Sequence, residues 1–276
     1  MTTKQIEKLV NKKVDNVELI RSKDGINLYR VFCDKKSYIV KFFEKKQYSR
    51  EIGFYKLFQE EGVPTIKVVS YAKNSLILQD LDNNKFNRLA NEKDLENEEI
   101  IKSLAKWYKI LHKKGKNVDK SKYYCEYNLI TSKNLKMLQN ILSEQCYNLL
   151  QKSMLNLNKL KCSLNYTITY NDFALENMAI CNKRAIMFDY NLAGKGTEYA
   201  DVQNVCAMLS KEMQDVFISA YYGKNPIPTK EIEAHYILGT LSSLILACYK
   251  TIFPKWANVL VNKVNSAEFM EKLAKL

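Results

Sequence analysis

The sequence predicts an α+β chain, with five antiparallel strands and one helix in its first third and a mainly helical remainder. Three observations carry this reading. Alternating or apolar runs broken by turn residues occupy 17–43 and 66–79, and from residue 83 the apolar spacing becomes helical. Within 167–201 two brief apolar runs, 168–170 and 185–188, each deliver an aspartate, Asp172 and Asp189, into a polar turn.

Taken in order, residues 3–13 place Ile6, Leu9 and Val10 on one side of a short amphipathic helix. Runs 17–21, 28–33 and 38–43 form a three-stranded meander, broken by Ser22-Lys23-Asp24-Gly25 and Asp34-Lys35-Lys36. Lys41 sits inside the apolar third strand, which calls for an anionic partner unless the strand lies at an edge. A helix follows from Ser49, with apolar residues at 52, 54, 55, 57 and 58, and stops at Glu61-Gly62-Val63-Pro64, a glycine end followed by proline. Runs 66–71 and 76–79 complete the sheet. Beyond it, helices are expected over 98–113, 134–160, from Asp201 onward, and over 212–222, 229–250 and 254–274, with 236–248 apolar enough to be a central buried helix.

Composition excludes several classes. The 276 residues suffice for one large domain or two lobes with real cores. No apolar run approaches the length of a membrane span, and the charged start MTTKQIEKLVNKK lacks the apolar core of a secretory signal, so a cytoplasmic protein is expected. Seven scattered cysteines with no Cys-x-x-Cys pair, and only His112 and His235, argue against disulfides and zinc. His112, at the end of the 98–113 helix, reads as a packing residue. The net charge of +13 suits an anionic partner or simply a lysine-rich surface, since the lysines are dispersed in pairs and triplets.

The acidic hairpins carry the chemistry. A carboxylate, an amide five residues on and a second carboxylate one hairpin later are what magnesium-assisted phosphoryl transfer requires: one group to orient and deprotonate a hydroxyl, two to hold a hard cation. Asp172-x-x-x-x-Asn177, Phe188-Asp189 and Ala193-Gly194-x-Gly196-x-x-x-x-Asp201 together resemble the catalytic core of the aminoglycoside phosphotransferase and choline kinase superfamily. There the loop usually opens with His-Gly-Asp or His-Asn-Asp; here Tyr170-Asn171-Asp172 stands in that place, and the Asn form is closer to choline kinases.

The resemblance implies a two-lobed protein-kinase-like fold, with residues 1–78 as a nucleotide-binding lobe, 79–82 as a hinge and 83–276 as the catalytic and substrate-binding lobe. It implies that Asp172 is the base, that Asn177 and Asp189 ligate Mg2+, that Lys41 neutralises the phosphates of ATP or GTP while held by Glu51, and that Asp201 fixes the catalytic loop. Ser22, Gly25 and Asn27 form the turn that would fold over the phosphates, although one glycine fits an ordinary hairpin equally well. Gln79 and Leu81 would present backbone groups to the purine.

The implied activity is transfer of a γ-phosphate to a small-molecule hydroxyl by a monomer or weak dimer, with no nucleic acid or membrane as partner. An aminoglycoside acceptor, as in antibiotic resistance, leads; choline or ethanolamine is the alternative. An aminoglycoside needs clustered carboxylates, which the acidic strip 92–99 (EKDLENEE) could supply unless it is a solvated helix start. Asn191 stands where choline kinases usually carry an acid two residues after Asp189. A catalytically idle nucleotide-binding scaffold and a basic nucleic-acid binder are the readings from other classes.

Overall fold

A computed structural model of the chain describes residues 3–45 and 49–276, so the first two residues of the charged N-terminal stretch lie outside it. The chain divides into two compact units, one built from 1–114, 172–193 and 204–224, the other from 115–171, 194–203 and 225–276.

The first unit opens with α1 (Thr3–Val10), β1 (Asn16–Lys23), β2 (Ile26–Cys33), β3 (Lys36–Phe43), α2 (Arg50–Glu61), β4 (Val68–Ala72) and β5 (Ser75–Gln79). The expected five-stranded antiparallel sheet is present, in the order β1-β2-β3-β5-β4. Strand alternation gives it two working faces. On one, Val31, Cys33, Tyr38, Val40 and Ile77 bury against Ile6 and Val10 of α1. The other carries Leu28, Arg30, Ile39, Lys41 and Leu78, since Lys41 pairs with Leu28 and Ile39 with Arg30 and Leu78. β3 is therefore central, so the edge-strand reading of Lys41 does not apply.

Helix α2 buries Glu51, Ile52, Phe54, Tyr55 and Phe58, and ends where Gly62, at φ 74°, lets the next N–H groups turn back onto the last carbonyls. The same unit holds helix α3 (Glu98–Gly115) and a three-stranded sheet of Asn87–Leu89, Met178–Cys181 and Arg184–Met187. His112 is buried in α3 and shares a 2.6 Å hydrogen bond with the Tyr221 hydroxyl.

The second unit packs its helices around Leu135, Leu150, Leu157, Leu238, Leu241, Ile245 and Phe269. Segment 236–248 is indeed central, but the long helices expected around it are broken. Instead of one helix over 134–160 there are Ser132–Leu135, Glu144–Lys152 and Met154–Cys162, because the Ser143 side chain accepts from the Cys146 N–H and starts a new helix. Ser266 does the same for Ala267–Ala274, splitting it from Ala257–Val264. The helix expected to begin at Asp201 spans Glu198–Cys206, with Asp201 in its first turn.

Gly194 in this unit is demanded by contact rather than by φ. Strand Thr167–Thr169 pairs with Gly194–Gly196, and a Cβ on Gly194 would lie 2.5 Å from the Tyr124 carbonyl oxygen. Backbone there cannot yield cheaply. Gly194→Ala is expected to cost about 2 kcal/mol, read as a lower denaturant midpoint at unchanged slope; an unchanged midpoint would mean that the loop of Tyr124 adapts freely.

Candidate functional site

The first unit contains a cavity of about 440 Å3 whose walls include Leu28, Arg30, Ile39 and Lys41 from the sheet, Gln79 at the end of β5 with Asp80 to Asp82 beyond it, and Asn177, Phe188 and Asp189 from the acidic hairpin. That volume is in the usual range for a small-ligand site.

Lys41 is the centre of its charge. Its Nζ lies 2.6 Å from Glu51 Oε2 and 2.8 Å from Asp189 Oδ1, so one ammonium bridges two carboxylates from distant parts of the chain. Burial works against the ammonium, yet Glu51 and then Asp189 outweigh it, and Lys41 stays charged, with its pKa above the ordinary lysine value. Glu51 is 1% exposed. Burial is the strongest influence on it and pushes its carboxyl up, with Lys41 pulling it back.

The acidic hairpin is held by its own backbone. The Phe188 N–H donates to the Asn177 carbonyl at 3.0 Å, closing the strands on either side, and Asp189 turns out of them at φ 61°. Asn177 Nδ2 donates to Asp172 Oδ2 at 3.2 Å. Burial, and then the charge of Asp189, raises Asp172 to about 6 against that hydrogen bond. A carboxylate so poised suits a base near neutral pH. In the second unit, Asp201 accepts from the N–H groups of Tyr170 and Asn171 at 2.7 and 2.8 Å, the two residues that precede Asp172 in the chain. That is the loop-fixing contact expected of Asp201.

The structure thus brings Lys41, Glu51 and Asp189 together and sets Asp172 against Asn177. Gln79 and Leu81 line the cavity, but the Gln79 N–H is spent on the Lys67 carbonyl, whereas the Leu81 N–H has no partner among the described residues. The turn residues stand differently. Ser22 Oγ donates to Asn27 Oδ1 and Asn27 Nδ2 to Glu44, while it is Lys23, Asp24 and Ile26 of the same turn that line the cavity. Gly25, at φ 80° beside Asp24 at 55°, has the geometry of a tight two-residue hairpin.

Sequence reasoning missed Arg30 and Glu176. Arg30 Nε reaches Asp80 at 2.8 Å and its Nη2 reaches Asp82 at 2.8 Å, tying β2 to the chain just past β5; alternation from Lys41 through Ile39 was the available sign. Glu176, beside Asn177, lines the cavity. Three of the five acids in the strip are already engaged: Asp94 takes a bidentate pair of hydrogen bonds from Arg88, both 2.7 Å, and Glu98 and Glu99 both face Lys102 at 3.0 Å.

Among the described residues no cluster of three or more His, Cys, Asp or Glu forms a metal cage. The donors nevertheless fit magnesium, which takes hard oxygens and usually only one or two protein ligands beside phosphate and water. Asn177 directs its NH2 at Asp172, which leaves its amide oxygen to serve as a hard donor, and Asp189 keeps a second carboxylate oxygen beside the one that holds Lys41.

No protein-family model and no curated protein matches this sequence. Solved structures do match by shape. A choline/ethanolamine kinase family protein from Mesorhizobium loti superposes with a TM-score of 0.67 at 13% identity, over 94% of this chain and 91% of its own. The choline kinase LicA from Streptococcus pneumoniae gives 0.65 at 14%, over 99% and 98%. The spectinomycin phosphotransferase APH(9)-Ia, in complex with ADP and spectinomycin, gives 0.60 at 10%, over 99% and 98%. With a five-stranded antiparallel sheet, a helical C-terminal part and likeness along nearly the whole length, the chain has the protein-kinase-like fold of the choline kinase and aminoglycoside phosphotransferase structures.

Proposed function

We propose that this protein is a small-molecule kinase that moves the γ-phosphate of ATP or GTP to a substrate hydroxyl. The observation that carries the reading is the Lys41 ammonium, bridged by Glu51 and Asp189 on the wall of a cavity that Asn177 also lines. Lys41 neutralises nucleotide phosphate, and Glu51 keeps it aimed. The backbone beyond β5, with the Leu81 N–H open, meets the purine edge. Magnesium, held by Asn177 and Asp189, would supply neutralisation of the transferred phosphoryl group. Asp172 orients the acceptor hydroxyl and takes its proton on a carboxylate oxygen as the new O–P bond forms and the bond from the γ-phosphorus to the β,γ-bridging oxygen breaks, releasing the nucleoside diphosphate. Such a site works by position and charge.

Of the acceptor classes, a lightly charged amino alcohol of the choline or ethanolamine type is favoured over a polycationic aminoglycoside. Three of the five acids in the strip 92–99 that might have received several ammonium groups, Asp94, Glu98 and Glu99, are paired with Arg88 and Lys102, and the chain carries a net charge of +13. The cytoplasm, where nucleotide is supplied, is the proposed compartment, and a monomer or weak dimer the proposed state.

Two measurements test this. Titration with ATP or GTP and Mg2+ should raise the melting temperature, with stabilisation of about 2.7 kcal/mol at a hundred times the dissociation constant; no shift with either nucleotide defeats the nucleotide site. Nucleotide consumption across choline-type amines, sugars and aminoglycosides should then rise with one class. A melting shift without turnover on any acceptor identifies an idle scaffold instead.

A further inference from the structure

The second unit carries an exposed apolar and basic surface that the proposed phosphoryl transfer does not use. Past the buried helix Thr240–Cys248 the chain reads Tyr249-Lys250-Thr251-Ile252-Phe253-Pro254-Lys255-Trp256, then enters the helix Ala257–Val264. Ile252 is 83% exposed, Val259 69% and Trp256 55%, and Tyr249 is likewise exposed. Several bulky apolar side chains held in water within a dozen residues are costly to a protein that gains nothing from them. They do not belong to a loose tail. Tyr249 OH donates to Asn134 Oδ1 at 2.9 Å, Phe253 packs against the core, and Ala257, the first residue of the next helix, is fully buried in that core.

Charge along these two stretches of chain has one sign. Lys250 and Lys255 alternate with the apolar residues and are exposed, and the contact to Asn134 adds the exposed Lys133 next to it. No Asp or Glu falls between Glu233 and Glu268, nor between Glu126 and Glu144. Exposed apolar side chains interleaved with lysines, with tyrosine and tryptophan among them, match the chemistry of a bilayer interface: aromatic rings settle at headgroup level, aliphatic groups enter the acyl boundary, and lysines face anionic headgroups. Peripheral contact needs no spanning segment, so the absence among the described residues of a helix long and apolar enough to cross a membrane is no obstacle.

We propose that the surface formed by Tyr249, Ile252, Trp256 and Val259, with Lys133, Lys250 and Lys255, docks this protein on an anionic phospholipid membrane. The proposal is independent of the phosphoryl-transfer reading.

Trp256 supplies a built-in probe, because the other tryptophan, Trp107, is buried in the first unit with its Nε1 donating to the Pro64 carbonyl. Full-length protein is mixed with vesicles of equal parts phosphatidylglycerol and phosphatidylcholine, and with phosphatidylcholine alone. The expected result is cosedimentation with the anionic vesicles, together with a blue shift and protection from quenching in the tryptophan emission. Lys250→Gln and Lys255→Gln should each weaken binding about fivefold. The double variant Ile252→Asp/Trp256→Asp should abolish sedimentation while retaining the wild-type far-ultraviolet circular dichroism and melting point. Absence of binding to anionic vesicles at low salt overturns the proposal, as does undiminished binding by the double variant. A wild-type dimer that the double variant converts to monomer, without vesicle binding by either, also overturns it and assigns the patch to a second copy of the chain.

Discussion

Asp172→Asn is expected to lower turnover about a thousandfold and, at neutral pH, to make the folded protein more stable. Both effects come from one environment. Burial and the Asp189 charge raise Asp172 to about 6. Above that pH it is ionised, as the proposed base must be, so kcat/KM should rise with pH through about 6 and fall below it. Stability runs the other way. A carboxyl whose folded pKa is raised stabilises the fold while protonated; that contribution is complete below the unfolded value of 3.8 and is lost as pH climbs through about 6.

Asparagine removes the charge and keeps an oxygen for the Asn177 hydrogen bond. At pH 8 the variant should therefore gain about 1 kcal/mol, a value reduced from the full pKa shift because the carboxyl is only partly buried, and at pH 4 it should gain nothing. Turnover and denaturant melts at the two pH values check both halves. Near-normal turnover removes Asp172 from the mechanism; a loss of stability at pH 8 removes the account of its pKa.

Lys41→Met is expected to be the most destabilising change in the site. It strands the Glu51 carboxylate, 1% exposed and 2.6 Å from the missing ammonium, and leaves Asp189 without its 2.8 Å partner. Removing one member of a buried pair costs about 3–5 kcal/mol, whereas replacing both by apolar groups is often near neutral. Lys41→Met/Glu51→Leu should therefore recover most of the lost stability and none of the turnover. Burial pushes Glu51 up, so the single variant should also regain stability as pH falls and the carboxyl takes a proton. Denaturant melts of the wild type, both single variants and the double variant form the cycle that tests this. Additive losses, with no rescue in the double variant, would show that the lysine and the glutamate do not act as a pair.

Much of the candidate site can be read from local sequence, since its parts are local devices. The spacing of Asp172 and Asn177, and the strand-like run that ends at Asp189, place polar groups in turns wherever the hairpin folds. Lys41 was conspicuous because an ammonium in an apolar strand demands compensation. Arg30 gave no such alarm, as an arginine in an alternating strand passes for a solvent-facing one. The helices of the second unit were harder to read. Ser143 and Ser266 stand within apolar periodicity that continues past them, and nothing in the spacing says whether a serine caps a new helix or rides on the face of an old one. That choice depends on what the following turn packs against, namely the core around Leu150, Leu157 and Phe269.

Sequence by itself determined the α+β order of elements, the five strands and the residue types able to meet a nucleotide and a cation, because strand alternation, glycine stops and turn residues act over a few positions. Tertiary structure alone decided that Lys41 bridges Glu51 and Asp189, that Asp94, Glu98 and Glu99 are already paired, and that Ile252, Trp256 and Val259 are left in water. The physical reason is range. Propensity and capping are settled between neighbours, whereas an ion pair such as Lys41 with Asp189, or the burial of a side chain, is settled by segments that meet only once the chain has folded.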